Sequence, residues 1–275
     1  MFQPSTNWMS RQFPCDVTGL VFDCQEKKLQ KVPNGITSNA TVVNLSKNEL
    51  LKIQEYRNVF SHLENLTELN LSHAKKYGLK DVDIDKDAFK NLTNLKILNL
   101  SYNCLTHVPI SLPHSLTMIF LNNNNILVLN NMSFSGIRNV TQLFLQRNGC
   151  SSNNCSNPVH ISDDSFSVLT KLKVLDLSSN ILRHVPKGLP TTLTNLTLSD
   201  NQMHYISEED FKELHHLKER TIHGNCPRSG NAPHPCVPCP NISLGIHPKA
   251  FIDLTKLRTL DLAGNSLTEL NDCSS

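Results

Sequence analysis

Leu95-Lys96-Ile97-Leu98-Asn99-Leu100-Ser101-Tyr102-Asn103 decides the fold. Leu98 and Leu100 are two residues apart, so on an extended strand both point to one side. Leu95 leads into that strand and Asn103 leaves it. The same pattern, Leu-x-x-Leu-x-Leu-x-x-Asn, recurs in both directions along the chain. Before it stand Val43, Leu45 and Asn48, then Leu66, Leu69 and Leu71. After it come Leu116, Ile119, Leu121 and Asn124, then Val140, Leu143, Leu145 and Asn148. Leu172, Leu175, Leu177 and Asn180 follow, and then Leu193, Leu196, Leu198 and Asn201. The last two copies are Leu217, Ile222 and Asn225, and Leu257, Leu260, Leu262 and Asn265. Nine copies of a four-point pattern define a repeat array.

Stacked repeats set the strands side by side, with the apolar residues inside and the alternating residues on the outer face. The Asn turns the chain out of each strand, and its amide satisfies backbone groups the turn leaves unpaired; stacked copies form a ladder. Phe60, Phe89, Phe134, Phe166, Phe211 and Phe251 recur on the return limb and fill the space behind the sheet. Two short repeats use Val108-Pro109 with Leu112-Pro113, and Val185-Pro186 with Leu189-Pro190, in that place. The expected fold is an α/β solenoid, a leucine-rich-repeat horseshoe with a parallel concave β-sheet, an irregular convex side and little helix. Each repeat touches only its neighbours, so the ends need caps. Cys15 and Cys24 suit a disulfide-closed N-terminal cap. Residues 1–36 read as tail and cysteine cap. Residues 37–275 read as nine repeats without a C-terminal cap, with insertions near 75–86, 150–158 and 226–244 along one flank. The absent cap reads as a truncation. One inward strand position departs from the pattern: Arg220 stands where the repeat wants Leu. It must snorkel, find an acidic partner, or mark a weakened repeat.

Composition narrows the function. The 275 residues include 40 Leu and 31 Asn but only 10 Gly, and 26 basic against 24 acidic side chains leave a net charge of +2. A constitutively basic nucleic-acid binder is therefore excluded at neutral pH. The 12 His make the balance conditional: at pH 5.5 about nine-tenths of unperturbed imidazoles are protonated, taking the net charge to roughly +13. No Gly-x-Ser-x-Gly elbow, phosphate-binding Gly loop or His-Glu-x-x-His motif occurs, so neither an enzyme nor a cofactor is expected. No apolar run approaches a membrane span.

Nine Cys and eleven Asn-x-Ser/Thr sequons point to an oxidising, lumenal or extracellular compartment. Asn44, Asn70 and Asn99 arise from the strand motif itself and read as a bare polar ladder on the concave face. Asn65, Asn91, Asn131, Asn139, Asn195 and Asn241 are the expected glycan carriers.

The longest insertion carries the most specific signal. Asn225-Cys226-Pro227-Arg228-Ser229-Gly230 leads to Ala232-Pro233-His234-Pro235-Cys236-Val237-Pro238-Cys239. Cys226, His234, Cys236 and Cys239 have the spacing of a tetrahedral zinc set, but a disulfide-braced loop is the preferred reading and no metal is expected. The segment resembles the eighth-repeat loop of the endosomal Toll-like receptors of the seven, eight and nine group, and the similarity covers nearly the whole chain. The resemblance implies a Cys226–Cys239 disulfide, and the short Cys150, Cys155 pair fits it too. The family has four Cys in this loop, whereas position 229 here is Ser, which leaves Cys104, Cys236 and Cys273 unassigned.

The resemblance also implies a function: sensing of single-stranded RNA or its nucleoside breakdown products in innate immunity. Its setting is the endosome lumen or the extracellular side. The full-length parent would be a single-pass membrane receptor acting as a homodimer, with the membrane anchor absent from this chain. The alternatives are a secreted leucine-rich-repeat adhesion module and a soluble decoy form of the receptor. On the concave face, Phe120 and Phe144 share one strand position in neighbouring repeats, ~5 Å apart. Both face outward beside Asn122, Gln142, Gln146 and Arg147, where rings can stack bases and amides can bond their edges. His223, in the eighth repeat, is added as a proton-dependent phosphate contact.

Overall fold

The computed structural model describes residues 13–50, 59–74, 84–148, 157–225 and 243–267. Their regular structure is entirely strand. In chain order the strands are β1 (Asp16–Thr18), β2 (Val21–Asp23), β3 (Val42–Asn44), β4 (Glu68–Asn70) and β5 (Ile97–Asn99). Next come β6 (Met118–Phe120), β7 (Val128–Leu129), β8 (Gln142–Phe144), β9 (His160–Ile161) and β10 (Val174–Asp176). The last five are β11 (Asn195–Thr197), β12 (Tyr205–Ile206), β13 (Glu219–Thr221), β14 (Gly245–Ile246) and β15 (Thr259–Asp261).

Eleven of these form one sheet in the order β1-β2-β3-β4-β5-β6-β8-β10-β11-β13-β15. β1 and β2 are an antiparallel hairpin closed by the Cys15–Cys24 disulfide, and every later pair is parallel. Register holds throughout. The middle residue of each repeat strand pairs with its counterpart, from Val43↔Leu69 to Arg220↔Leu260. The variable spacing between repeats therefore lies wholly outside the sheet. The insertion segments 75–83, 149–156 and 226–242 fall outside the described residues, as do Cys150, Cys155, Cys226, Cys236, Cys239, Cys273 and Asn241. Cys104 is exposed and unbonded.

Behind the sheet the phenylalanines pack as expected. Phe60 stacks on Phe89, Phe134 on Phe166, and Phe211 meets Phe251, with centroids 6.1, 5.8 and 6.1 Å apart. The series is interrupted where the two Val-Pro repeats intervene. The convex side has more order than expected: β7 pairs with β9 and β12 with β14, giving two short parallel sheets on the return limbs.

The Asn ladder runs from Asn103 in repeat three to Asn265 in repeat nine; in repeat two Ala74 stands at the ladder position and its N–H donates to Asn103 Oδ1 (2.9 Å). Asn180 Nδ2 donates to the carbonyls of Leu145 (3.1 Å) and Leu177 (2.9 Å), and its Oδ1 accepts from Asn148 N (2.7 Å). Asn201 repeats this one step on, taking the N–H of Asn180 at 2.8 Å. Each amide so bridges two repeats and pairs backbone groups at the turn.

Of the three exits anticipated from sequence, Arg220 takes neither of the first two: it does not snorkel and bonds no acidic partner. Only 1% of it is exposed, and Nε, Nη1 and Nη2 have no hydrogen-bond partner. Its guanidinium lies 3.3 Å from the Phe211 ring centroid and 4.8 Å from that of Phe251. Burial lowers its pKa to about 9, with Asp210 acting weakly in the opposite direction. Two ring faces hold a charged group in the core.

Candidate nucleic-acid interface

Each repeat strand ends in the same local geometry, and that geometry builds the site. The third strand residue, where it is Asn or Asp, accepts the N–H two residues on: Asn44 from Ser46, Asn70 from Ser72, Asn99 from Ser101 and Asp176 from Ser178, at 2.9–3.1 Å. These are Asx turns. The concave Asn44, Asn70 and Asn99 row is thus partly consumed by the fold through its carbonyl oxygens. Two residues past the inward Leu or Ile the backbone turns left-handed in all nine repeats. Lys47, His73, Tyr102, Asn123, Arg147, Ser179, Asp200, Gly224 and Gly264 have φ between 49° and 68°. Their N–H groups extend the ladder, as in Tyr102 N to Asn122 O (2.9 Å) and Arg147 N to Ser178 O (2.9 Å). The backbone is fully used, so these side chains project from the strand-exit edge about one strand spacing apart, ~5 Å.

In repeats one to five this edge reads Lys47, His73, Tyr102, Asn123, Arg147. The His73 and Tyr102 rings stack at 3.9 Å and 14°, and Tyr102 keeps 46% of its surface exposed. Partial burial and then the Lys47 charge hold the His73 pKa below the usual imidazole range.

Phe120 and Phe144 pair in register and stack at 4.7 Å and 6°. Each ring spends one face on the other. The faces that remain look toward Asn99 and Asp176, their register neighbours. Bases therefore meet the ends and edges of this stack and do not enter between the rings. Asn122 is also partly committed, since its Oδ1 accepts Gln146 N at 2.9 Å. Gln142 lies half-buried between Met118 and Val174, and Arg147 is exposed at the exit edge. His223 does not join this group. It lies three strands further on, ~14 Å away by strand spacing, with Nε2 3.6 Å from Asp200 and Nδ1 3.6 Å from Asp261. Lys47, His73 and Tyr102 were missed from sequence, although each falls at a fixed place, two residues beyond an inward strand Leu.

The expected glycan sites divide by environment. Asn65, Asn91 and Asn131 are exposed. Asn139 and Asn195 are half-buried, with Nδ2 donating to His114 O and to the Glu219 carboxylate respectively.

An eleven-stranded, mostly parallel sheet stitched by a buried Asn ladder makes this protein a leucine-rich-repeat solenoid. Family models described as leucine rich repeat match residues 82–113 and 256–275. The chain is 40% identical to Toll-like receptor 8 of Homo sapiens over 95% of its own length and 26% of that receptor. It is 35% identical to Toll-like receptor 7 of Mus musculus, covering 86% of the chain and 24% of that receptor. Toll-like receptor 9 of Mus musculus is also 35% identical, covering 94% and 26%. The chain spans about a quarter of the length of the curated relatives it matches. Within the leucine-rich-repeat class it belongs with the Toll-like receptors 7, 8 and 9, and it fits a fragment of their ectodomain.

Proposed function

We propose that this chain is part of a pattern-recognition receptor ectodomain of innate immunity whose ligand is single-stranded RNA or nucleosides derived from it. The observation that carries the reading is the exit edge of repeats one to five. It sets a stacked His73–Tyr102 pair between Lys47 and Arg147, beside the Phe120–Phe144 stack and the amides of Asn122, Gln142 and Gln146. Aromatic faces and edges receive bases without regard to pairing, and flanking cations receive phosphates. His73 makes this edge more cationic as pH falls, and the 12 His do the same for the chain as a whole. On this reading the parent is a single-pass receptor with its ectodomain in the endosome lumen or outside the cell, working as a homodimer. Among the described residues no helix is long and apolar enough to cross a membrane.

The test is fluorescence anisotropy of a labelled uridine-rich RNA with the chain at pH 5.5 and 7.4 and at two salt concentrations. Binding should strengthen at the lower pH and weaken with salt. Tyr102→Ala should cost about 1–3 kcal/mol, the range for a lost stacking platform, and Arg147→Ala should weaken binding and flatten its salt dependence. Equal affinity for RNA in the double variant would remove the edge from the ligand site.

A further inference from the structure

The opposite edge of the same sheet carries a second pattern that the RNA reading leaves unused. Each strand is entered through a residue whose carbonyl accepts two N–H groups from the next repeat. Lys173 O takes Thr194 N (2.8 Å) and Asn195 N (3.0 Å), and Lys218 O takes Arg258 N (2.8 Å) and Thr259 N (3.1 Å). This fixes the entry residues in a row with ~5 Å between repeats. In repeats two to five the row is nearly neutral: Thr67, Lys96, Thr117, Thr141. In repeats six to nine it becomes Lys173, Thr194, Lys218, Arg258, and two positions upstream Lys171, His216 and Lys256 add to it.

All but the half-buried Thr194 are exposed, and among the described residues none of the five fixed cations has a carboxylate within ion-pair distance. Lys171 donates to Asn139 Oδ1 (2.7 Å) and Lys256 lies 3.1 Å from His216 Nδ1, neither partner a carboxylate. Glu219, the nearest acid by sequence, receives the Asn195 amide on the concave side. The concave floor beside the edge is acidic through Asp176, Glu219 and Asp261. A polyanion is thereby repelled from the floor and held on the edge.

The chemistry of the edge selects among polyanions. It offers point charges and threonine hydroxyls; its one ring, the His216 imidazole, is held through Nδ1 by Lys256, and its Asn139 and Asn195 amides are already engaged. Among the described residues it carries no stacked ring pair like His73–Tyr102 on the other edge. Lysine dominates over arginine, so the edge meets tetrahedral oxyanions as a row of point charges. We infer that the strand-entry edge of repeats six to nine binds an unbranched sulfated polysaccharide, independently of the RNA reading on the other edge.

The probe is a fluorescein-labelled heparin dodecasaccharide titrated with the full chain after removal of N-glycans, at pH 7.4 where only the fixed cations act. The unaltered chain should bind at about 50 mM salt and weaken markedly by about 200 mM, by counterion release. Lys173→Glu, Lys218→Glu and Arg258→Glu combined should weaken binding at least ~10-fold, with a smaller loss for the three glutamine replacements. Lys47→Glu with Arg147→Glu should leave it unchanged, and a desulfated oligosaccharide should not bind. The melting curve of the glutamine variant guards against misfolding. Absence of binding at low salt would overturn the proposal, as would a triple variant that binds normally. Equal loss of heparin and of uridine-rich RNA in that variant would also overturn it, by making the edge a nucleic-acid track.

Discussion

Repeats one to five and repeats six to nine share one backbone and carry opposite decorations. In the first half the strand-exit edge is aromatic and cationic through Lys47, His73, Tyr102 and Arg147, while the entry edge is nearly neutral and carries the exposed sequon Asn65. In the second half the cations move to the entry edge, and the exit side turns acidic at Asp176, Asp200 and Asp261. The inward residues hardly change. Only Arg220 breaks them, and it lies in the second half. The scaffold is thus carried by the inward column and the Asn ladder, and ligand preference by outward columns free to vary.

The strongest way to break the comparison is to cut what both halves share. Asn180 joins repeat five to repeat six, with Nδ2 on Leu145 O and Leu177 O and Oδ1 on Asn148 N. Asn180→Ala strands the buried Asn148 N–H, at about 1–3 kcal/mol, and takes one of two donors from each carbonyl, since Asn148 Nδ2 still serves Leu145 O and Asn201 Nδ2 still serves Leu177 O. A loss of about 1–3 kcal/mol in urea-unfolding free energy is expected, with hydrogen exchange accelerating first at the freed Asn148 N–H. A loss below about 1 kcal/mol would mean that water replaces the ladder at no cost.

Arg220→Leu acts in the opposite direction and on the second half alone. Restoring the apolar residue removes an unpaired buried charge, and such replacements stabilise by about 1–4 kcal/mol. Calorimetry should show a midpoint higher by several degrees, at roughly 2–4 °C per kcal/mol. The gain should be constant from pH 5.5 to 7.4. Arg220 titrates only from about 9 upward, so folded and unfolded chains hold the same proton below that. A gain that varied across this range would place a second titrating group in contact with Arg220.

How much of this was readable beforehand follows from the same division. The sheet, the inward residues, the Asn ladder and the phenylalanine stack were legible because period two and a fixed Asn offset constrain residue type directly. The Phe120–Phe144 spacing was legible too. Their ring planes were not, because χ angles depend on neighbours in other repeats. His223 looked like a free proton-dependent phosphate contact. The two carboxylates beside it come from repeats before and after it, and sequence order hides that company. Lys47, His73 and Tyr102 were overlooked because a left-handed turn residue carries no composition rule when its side chain faces solvent.

His73 offers the smallest effect and the finest test of the exit edge. Its pKa is lowered by burial and by Lys47, so the unfolded chain takes the proton first as pH falls through about 6.5. The stability tied to neutral His73 is therefore full at pH 7.4 and lost on acidification. His73→Gln should melt relatively closer to the unaltered chain, or above it, at pH 5.5 than at 7.4. Bound phosphate reverses the preference, since an anion beside the ring favours imidazolium and binding then takes up a proton. One such group steepens affinity by at most about tenfold per pH unit, or 1.4 kcal/mol. RNA titrations should therefore give similar affinities for the two proteins at pH 7.4 and a gap opening below pH 6.5. Parallel pH profiles would take His73 off the ligand path and leave Lys47 and Arg147 as its only charged contacts on that edge.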